Sequence, residues 1–166
     1  MSKTNKLFLF LILALFSIGI TSCGGDEELS FTVFLGEGVN ELKIGDLGSE
    51  ITETLGSNYL TLENTWGTGE AIYYMQYNNH DIQFFLGSAP ENTNVESLRI
   101  QSIKFFGDFS GMTEAGIKIG NRLEEVETAY GDGDVDSWGT VSYDDLGIFF
   151  NFDDSNIVED FTIIEP

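Results

Sequence analysis

The strongest constraint on this chain is that one stretch of its sequence occurs twice. Residues 31–56 align without a gap on residues 106–131, which lie 75 positions later. Eight of the 26 paired positions are identical, namely Phe31/Phe106, Phe34/Phe109, Gly36/Gly111, Lys43/Lys118, Ile44/Ile119, Gly45/Gly120, Glu50/Glu125 and Gly56/Gly131. A match at a fixed period indicates an internal repeat, in which each copy forms the same supersecondary unit.

Each copy is typical of a strand, a short helix and an antiparallel meander. Alternating apolar residues predict a first strand at residues 31–35, and Asp46 and Asn121 are the expected N-caps of helices that stop at Gly56 and Gly131. Three further strands are expected in each copy, at 71–77, 82–86 and 98–106, and at 140–143, 147–152 and 158–164. The sequence therefore predicts an α+β fold of two tandem repeats, each a strand, a short helix and an antiparallel three-stranded meander.

The amino-terminal residues have the pattern of an export signal. Lys3 and Lys6 precede an apolar run at residues 7–20, whose length of about 21 Å is short of a hydrocarbon core of about 30 Å. The predicted organisation is a lipoprotein signal peptide at 1–22, an acidic tether at 23–30, repeat 1 at 31–105 and repeat 2 at 106–166.

Residues 20–23, which read Ile-Thr-Ser-Cys, resemble the lipobox of bacterial lipoproteins. That resemblance implies that Cys23 carries fatty acids such as palmitate and becomes the first residue of the mature chain. Two or three acyl chains hold a protein firmly on a bilayer. In the lipoprotein resemblance, a residue other than Asp after the cysteine, here Gly24, implies the outer membrane, on its periplasmic or cell-surface face. The alternative is ordinary secretory cleavage beside an incidental cysteine.

Charge excludes several classes of partner. The chain has 28 acidic and 7 basic residues, and loss of Lys3 and Lys6 takes its formal charge from −21 to −23. Nucleic acids and anionic lipid surfaces would be repelled, whereas basic proteins, cations and neutral sugars remain compatible.

The repeated helix pattern also resembles a known group of proteins. Ile44-Gly45, Glu50-Ile51 and Leu55-Gly56, with their counterparts in the second copy, are similar to the repeats of the BamE (SmpA/OmlA) outer-membrane lipoproteins and of β-lactamase inhibitor proteins. In those families a proline commonly follows the closing glycine, where this chain has Ser57 and Asp132. The resemblance implies a scaffold or inhibitor-like binding surface and no catalytic residues.

The best candidate for a metal site is a run of alternating aspartates. Asp132, Asp134 and Asp136 match the first half of an EF-hand loop, which makes calcium the candidate cation. The rest of the motif is missing, because Ser137 stands where glycine is required and Tyr143 where glutamate is required. The alternative is a solvated acidic turn.

Aromatic residues give the second set of candidates. Trp66 and Trp138 each precede a Gly-Thr pair before a meander, and consecutive aromatics such as Tyr73-Tyr74 must point to opposite sheet faces. Together with Pro90, in the connection expected at residues 87–97, this makes Trp66, Tyr74, Pro90 and Trp138 the predicted partner-binding residues. The alternative is that the two halves pack their aromatic faces on each other.

These patterns predict a non-enzymatic, lipid-anchored module that binds another envelope or extracellular protein. The alternative is calcium-assisted binding of a glycan. The only histidine is His80, the only cysteine is the predicted lipid attachment point, and no Gly-x-Ser-x-Gly motif is present, so the usual nucleophile and base pairs are not assembled. No cofactor other than calcium is expected.

Overall fold

The computed structural model describes residues 30–166, with the exception of Trp66 and Thr68. Within those residues the chain forms two short helices, α1 (Gly48–Leu55) and α2 (Leu123–Tyr130). Twelve strands accompany them, namely β1 (Thr32–Phe34), β2 (Gly38–Val39), β3 (Leu42–Lys43), β4 (Leu60–Thr65), β5 (Glu70–Tyr77), β6 (Ile82–Pro90), β7 (Ser102–Phe105), β8 (Met112–Thr113), β9 (Asp134–Val135), β10 (Val141–Tyr143), β11 (Ile148–Phe152) and β12 (Val158–Ile164). Short 3₁₀ helices lie at Val95–Ser97 and Asp144–Leu146.

The strands form two sheets. The smaller sheet has the order β3-β2-β1-β8, in which β1 and β8 run parallel. The larger has the order β4-β5-β6-β7-β12-β11-β10-β9 and is antiparallel throughout. A single hydrophobic core collects buried residues from both sheets and both helices. The fold is mostly β and resembles a sandwich.

The predicted α+β class, with two strand, helix and three-stranded meander repeats, is wrong. The first strand of each half does not join its own meander, because β1 and β8 pair with each other in the smaller sheet. Each meander gains a fourth strand, β4 or β9, and the two meanders are joined edge to edge by β7 and β12. Local patterning locates strands but does not specify which strands pair across distant parts of a chain.

Both helices begin one residue later than predicted. Glu50 Oε2 accepts a hydrogen bond from the Leu47 backbone N–H at 2.7 Å, so the first turn is held by a glutamate and not by a capping Asp46. Asp46 instead accepts the Lys43 N–H at 2.7 Å, which closes the preceding turn. A short acidic side chain can accept from a backbone N–H of the helix or of the turn before it, and Asp46 accepts from the turn.

The second helix has the same arrangement. Glu125 Oε2 accepts the Arg122 N–H at 2.7 Å, while Asn121 accepts the Lys118 N–H at 2.8 Å. The pKa of Glu125 lies below its ordinary value, first because of the Arg122 N–H and second because the Asn121 amide also donates to its carboxylate. The predicted capping roles of Asp46 and Asn121 are therefore both corrected.

Both helices also end in the same way. Gly56 (φ 80°, ψ −178°) and Gly131 (φ 86°, ψ −170°) adopt a backbone conformation that is essentially restricted to glycine. The Tyr77 hydroxyl donates to the Gly56 carbonyl at 2.7 Å, and the Tyr143 hydroxyl donates to the Gly131 carbonyl at 2.8 Å. Each helix end is thus tied to a strand of the larger sheet through one buried tyrosine.

We expect Gly56→Ala and Gly131→Ala each to destabilise the protein by about 1–3 kcal/mol. The reason is backbone strain alone, because a Cβ at either position would meet no atom within 4 Å. Urea unfolding followed by circular dichroism measures the loss, with Ser57→Ala as the control. Full stability in both glycine variants would contradict the backbone geometry.

We expect Tyr77→Phe to destabilise the protein by about 1–3 kcal/mol at neutral pH, because the Gly56 carbonyl loses its side-chain donor. Burial first, and then the charges of Tyr59 and Glu96, raise the pKa of Tyr77 from 10.0 to about 12. The stabilisation from this neutral hydroxyl is therefore fully present below about pH 10 and is lost as the pH rises towards about 12.

Unfolding free energies measured at pH 8 and pH 11 test this expectation. Tyr77→Phe should lose less stability between the two pH values than the unmodified chain. Tyr143→Phe is the matched variant in the second half, since burial also raises the pKa of Tyr143. An identical pH dependence with and without the Tyr77 hydroxyl would refute the assignment.

Candidate functional site

The larger sheet has one buried face and one partly exposed face. Along β5, Tyr73, Met75 and Tyr77 are buried in the core, whereas Ile72 and Tyr74 alternate with them and stay partly exposed. The same alternation runs through β6, β7, β10 and β11. Because successive side chains of a strand point to opposite faces, the partly exposed set shares one side of the sheet. We call this side the open face.

One end of the open face is apolar. Leu62 on β4 pairs with Tyr74 on β5, and Tyr74 pairs with Phe85 on β6, so the three side chains form a row across three strands. The Tyr74 and Phe85 ring centroids are 5.3 Å apart. Leu60 and Leu62 are 52% and 39% exposed. We call Leu60, Leu62, Ile72, Tyr74 and Phe85 the apolar patch.

The middle of the open face is polar and hydrogen-bonded. The Lys104 ammonium lies 2.9 Å from one carboxylate oxygen of Asp160, and the Asn151 amide donates to the other at 2.7 Å. On the neighbouring strands, Gln83 donates to Gln76 at 2.8 Å. A shallow cleft of about 390 Å³ lies among these side chains. The polar groups hold one another in place and present a mixed surface of donors and acceptors.

The far end of the open face is acidic. Phe149 on β11 pairs with Ser142 on β10, and Ser142 pairs with Asp134 on β9. A second cleft, of about 520 Å³, lies beyond this end, and its lining includes Asp132, Asp134, Asp144 and Asp145. The open face therefore changes from apolar to acidic along the strand order.

The outer strands of the larger sheet are unequal. All six residues of β4 are exposed, and the strand pairs only with β5, over six consecutive positions from Leu60↔Gln76 to Thr65↔Ala71. The opposite outer strand, β9, has two residues. The apolar patch thus borders the longer free edge of the sheet.

The predicted partner-binding residues do not form one cluster. Tyr74 lies on the open face, while Trp138 is 90% exposed in the turn between β9 and β10. Five strand spacings of about 4.8 Å, or about 24 Å along the sheet, separate β5 from β10. Trp66 lies outside the described residues, as does Cys23.

Pro90 has a different place from the one expected. The predicted connection at residues 87–97 is shorter, because β6 continues through Pro90. The Pro90 carbonyl accepts the hydroxyl of the buried Tyr73 at 2.9 Å. This residue therefore ends a strand and anchors a core side chain.

The structure does not group the predicted calcium ligands. The Asp136 Oδ1 atom accepts the backbone N–H groups of Trp138 and Thr140, at 2.8 and 2.9 Å, and so closes the β9–β10 turn. Among residues 30–166 apart from 66 and 68, no three or more His, Cys, Asp or Glu side chains are placed to hold a metal ion. Asp132 and Asp134 instead line the acidic cleft.

Sequence reasoning missed Leu60 and Leu62 as surface residues of this face. No strand was predicted between Gly56 and residue 71, where the structure has β4. The signal was present in Leu60-Thr61-Leu62-Glu63, whose apolar and polar residues alternate as in a strand.

No protein-family model, curated protein or solved structure matches this chain. The resemblance to BamE-type lipoproteins and β-lactamase inhibitor proteins therefore stays a prediction. In the part of the chain that the structure describes, neither eight-residue helix has the length and apolar character of a membrane span.

Proposed function

We propose that this chain is a lipid-anchored, non-enzymatic protein-binding module of the outer membrane or cell surface. Its open face binds another envelope or extracellular protein, and Cys23 attaches it to the membrane. The observation that carries the proposal is the apolar patch, which is exposed beside the polar middle of the same face. Aromatic residues are enriched at protein interfaces, and the apolar contacts there adjoin polar ones.

The two halves of the sheet support this assignment through their differences. Tyr77 and Tyr143 make the same helix contact, and both pack edge-on against a phenylalanine, Phe84 or Phe150. With the halves aligned on these pairs, 66 positions apart, the core also matches at Ile82 and Ile148.

The open-face positions do not match under the same alignment. Tyr74 and Phe85 correspond to Thr140 and Asn151, and Gln83 corresponds to Phe149. A core that is shared at the tyrosine, phenylalanine and isoleucine positions beside an open face that differs is expected where packing fixes the buried side and a partner acts on the other side.

The open face approaches the size of a standard protein interface. Seven strand spacings of about 4.8 Å give a width of about 34 Å, and five residues along a strand give about 17 Å. The projected area of roughly 580 Å² underestimates the accessible area, and a standard interface needs about 800 Å² from each partner. The net charge of −21 favours a partner with basic residues around its apolar contact.

We expect a photo-crosslinking amino acid at Tyr74 to capture one protein reproducibly in native membranes. The same group at Glu53, which is exposed on α1, is the control and should not capture it. Truncation of a central aromatic contact typically weakens binding by about 2 kcal/mol, so Tyr74→Ala should weaken the purified pair roughly thirtyfold, whereas Glu53→Ala should not. Binding can be measured by surface plasmon resonance.

The same preparation tests the anchor, because the mature amino terminus should be an acylated Cys23 by mass spectrometry. Equal capture from Tyr74 and Glu53 would refute binding through the open face. A mature chain that starts elsewhere, without fatty acid, would refute the anchor and leave the binding proposal standing.

Calcium-assisted glycan binding is the alternative proposal, and a comparison of two cations tests it separately. Any divalent cation screens an acidic chain, so the calcium effect must be compared with that of magnesium at the same concentration. With Asp136 engaged in its turn, we expect equal shifts of the thermal midpoint in 2 mM calcium and 2 mM magnesium. A rise specific to calcium and lost in Asp134→Asn would instead support the alternative, because a ligand bound only to the native state raises the midpoint.

A further inference from the structure

The edge strand β4 is the most exposed backbone of the larger sheet. Its six residues pair on one side only, and alternate residues of an antiparallel edge direct both N–H and C=O towards solvent. About three residues of β4 therefore offer a donor and an acceptor that no strand of this sheet takes up.

Proteins usually protect such an edge, and β4 has few of the usual devices. Its sequence, Leu-Thr-Leu-Glu-Asn-Thr, contains no lysine and no proline, and its register with β5 has no bulge. Its one charged side chain, Glu63, lies 3.0 Å from the Tyr73 hydroxyl and shares the hydroxyl proton with the Pro90 carbonyl. That contact holds the strand extended against its neighbour.

The side chains around the edge define what an added strand would meet. Leu60 and Leu62 face the open side and continue the apolar patch towards the edge. Acidic residues surround it on the strands behind, since Glu70 begins β5 and Glu91 follows β6, where its N–H donates to the Gly69 carbonyl at 3.2 Å. An apolar row beside carboxylates suits a strand that alternates apolar and basic residues.

Charge also indicates whether a second copy of this chain or a different protein would supply the added strand. Two copies each carry a net charge of −21, and antiparallel pairing of two β4 strands would bring their Glu63 residues close together. A basic segment meets no such repulsion.

We propose that β4 accepts an extended, basic segment of the partner as a ninth strand of the larger sheet, with the apolar residues of that segment beside Leu60 and Leu62. This inference rests on the proposed function for the identity of the partner as a protein. It adds that main-chain pairing at β4, and not only contact with the open face, provides the binding.

The test uses a ten-residue synthetic peptide of alternating valine and lysine as the probe. Hydrogen exchange of the full chain, followed by NMR, should show at least tenfold slower exchange for β4 backbone amides that face the free edge. A peptide N-methylated along one edge keeps the side chains but loses half of its main-chain donors, and it should give no such slowing. Equal effects of the two peptides, or slowing confined to other strands, would overturn the proposal.

Charge variants provide a second readout. Thr61 and Thr65 are exposed on β4, so the double variant Thr61→Lys, Thr65→Lys changes the edge without touching the core. It should bind the peptide at least tenfold more weakly than Ser137→Lys, Ser155→Lys, which adds the same charge at exposed positions outside β4. Equal binding by the two variants would count against β4.

The outcomes separate this inference from the proposed function. If the partner crosslinked at Tyr74 binds the β4 variant and its charge control equally well, the open face stays the binding site. Strand addition at β4 is then ruled out. Slowed β4 exchange without peptide, together with a dimer by light scattering, would identify the occupant as a second copy and overturn the proposal.

Discussion

The pairing of β7 with β12 is the contact on which the rest of the structure depends. It joins two four-stranded meanders into one sheet, with Ile103 opposite Ile163 and Phe105 opposite Phe161. Those four side chains are buried, while Lys104 and Thr162, opposite each other between them, face the other side. Because side chains alternate along a strand, a slip of one residue would send the isoleucines and phenylalanines outward. The register of β7 against β12 therefore determines which side chains face the core and which lie on the open face.

The position of most strands was predictable from sequence, but their partners were not. Residues 158–164 were predicted as a strand and form β12 with the same bounds, because a dense run of apolar residues marks it. The strand β4 was missed since its leucines are exposed and few. The pairing of β1 with β8, and of β7 with β12, joins segments about 60 to 80 residues apart in the chain, and both halves carry the same local patterns. Nothing in such patterns distinguishes a partner in the same half from one in the other.

The candidate site was only partly visible in the sequence. The rule that consecutive residues of a strand point to opposite faces put one of Tyr73 and Tyr74 on the far face but did not say which. In the structure Tyr73 is buried and Tyr74 lies on the open face. The role of Asp136 was not visible, because its carboxylate is used by a turn whose geometry depends on how β9 meets β10. The spacing of acids in a sequence gives candidate ligands, whereas their backbone partners decide whether the carboxylates are free.

The buried and exposed sides of the sheet are under different physical constraints. At the core, the tyrosine that holds a helix end and the phenylalanine that packs against it occur in both halves, because each helix is only eight residues long and depends on the sheet for its stability. On the open face, no helix requires a particular side chain, so the first half can carry Tyr74 and Phe85 where the second carries Thr140 and Asn151. The two ends of the open face therefore carry different side chains. A partner whose apolar contact fits Tyr74 and Phe85 would, in the reversed orientation, set that contact against Thr140 and Asn151. Under the proposed function, these differences would favour one orientation of the partner on the open face.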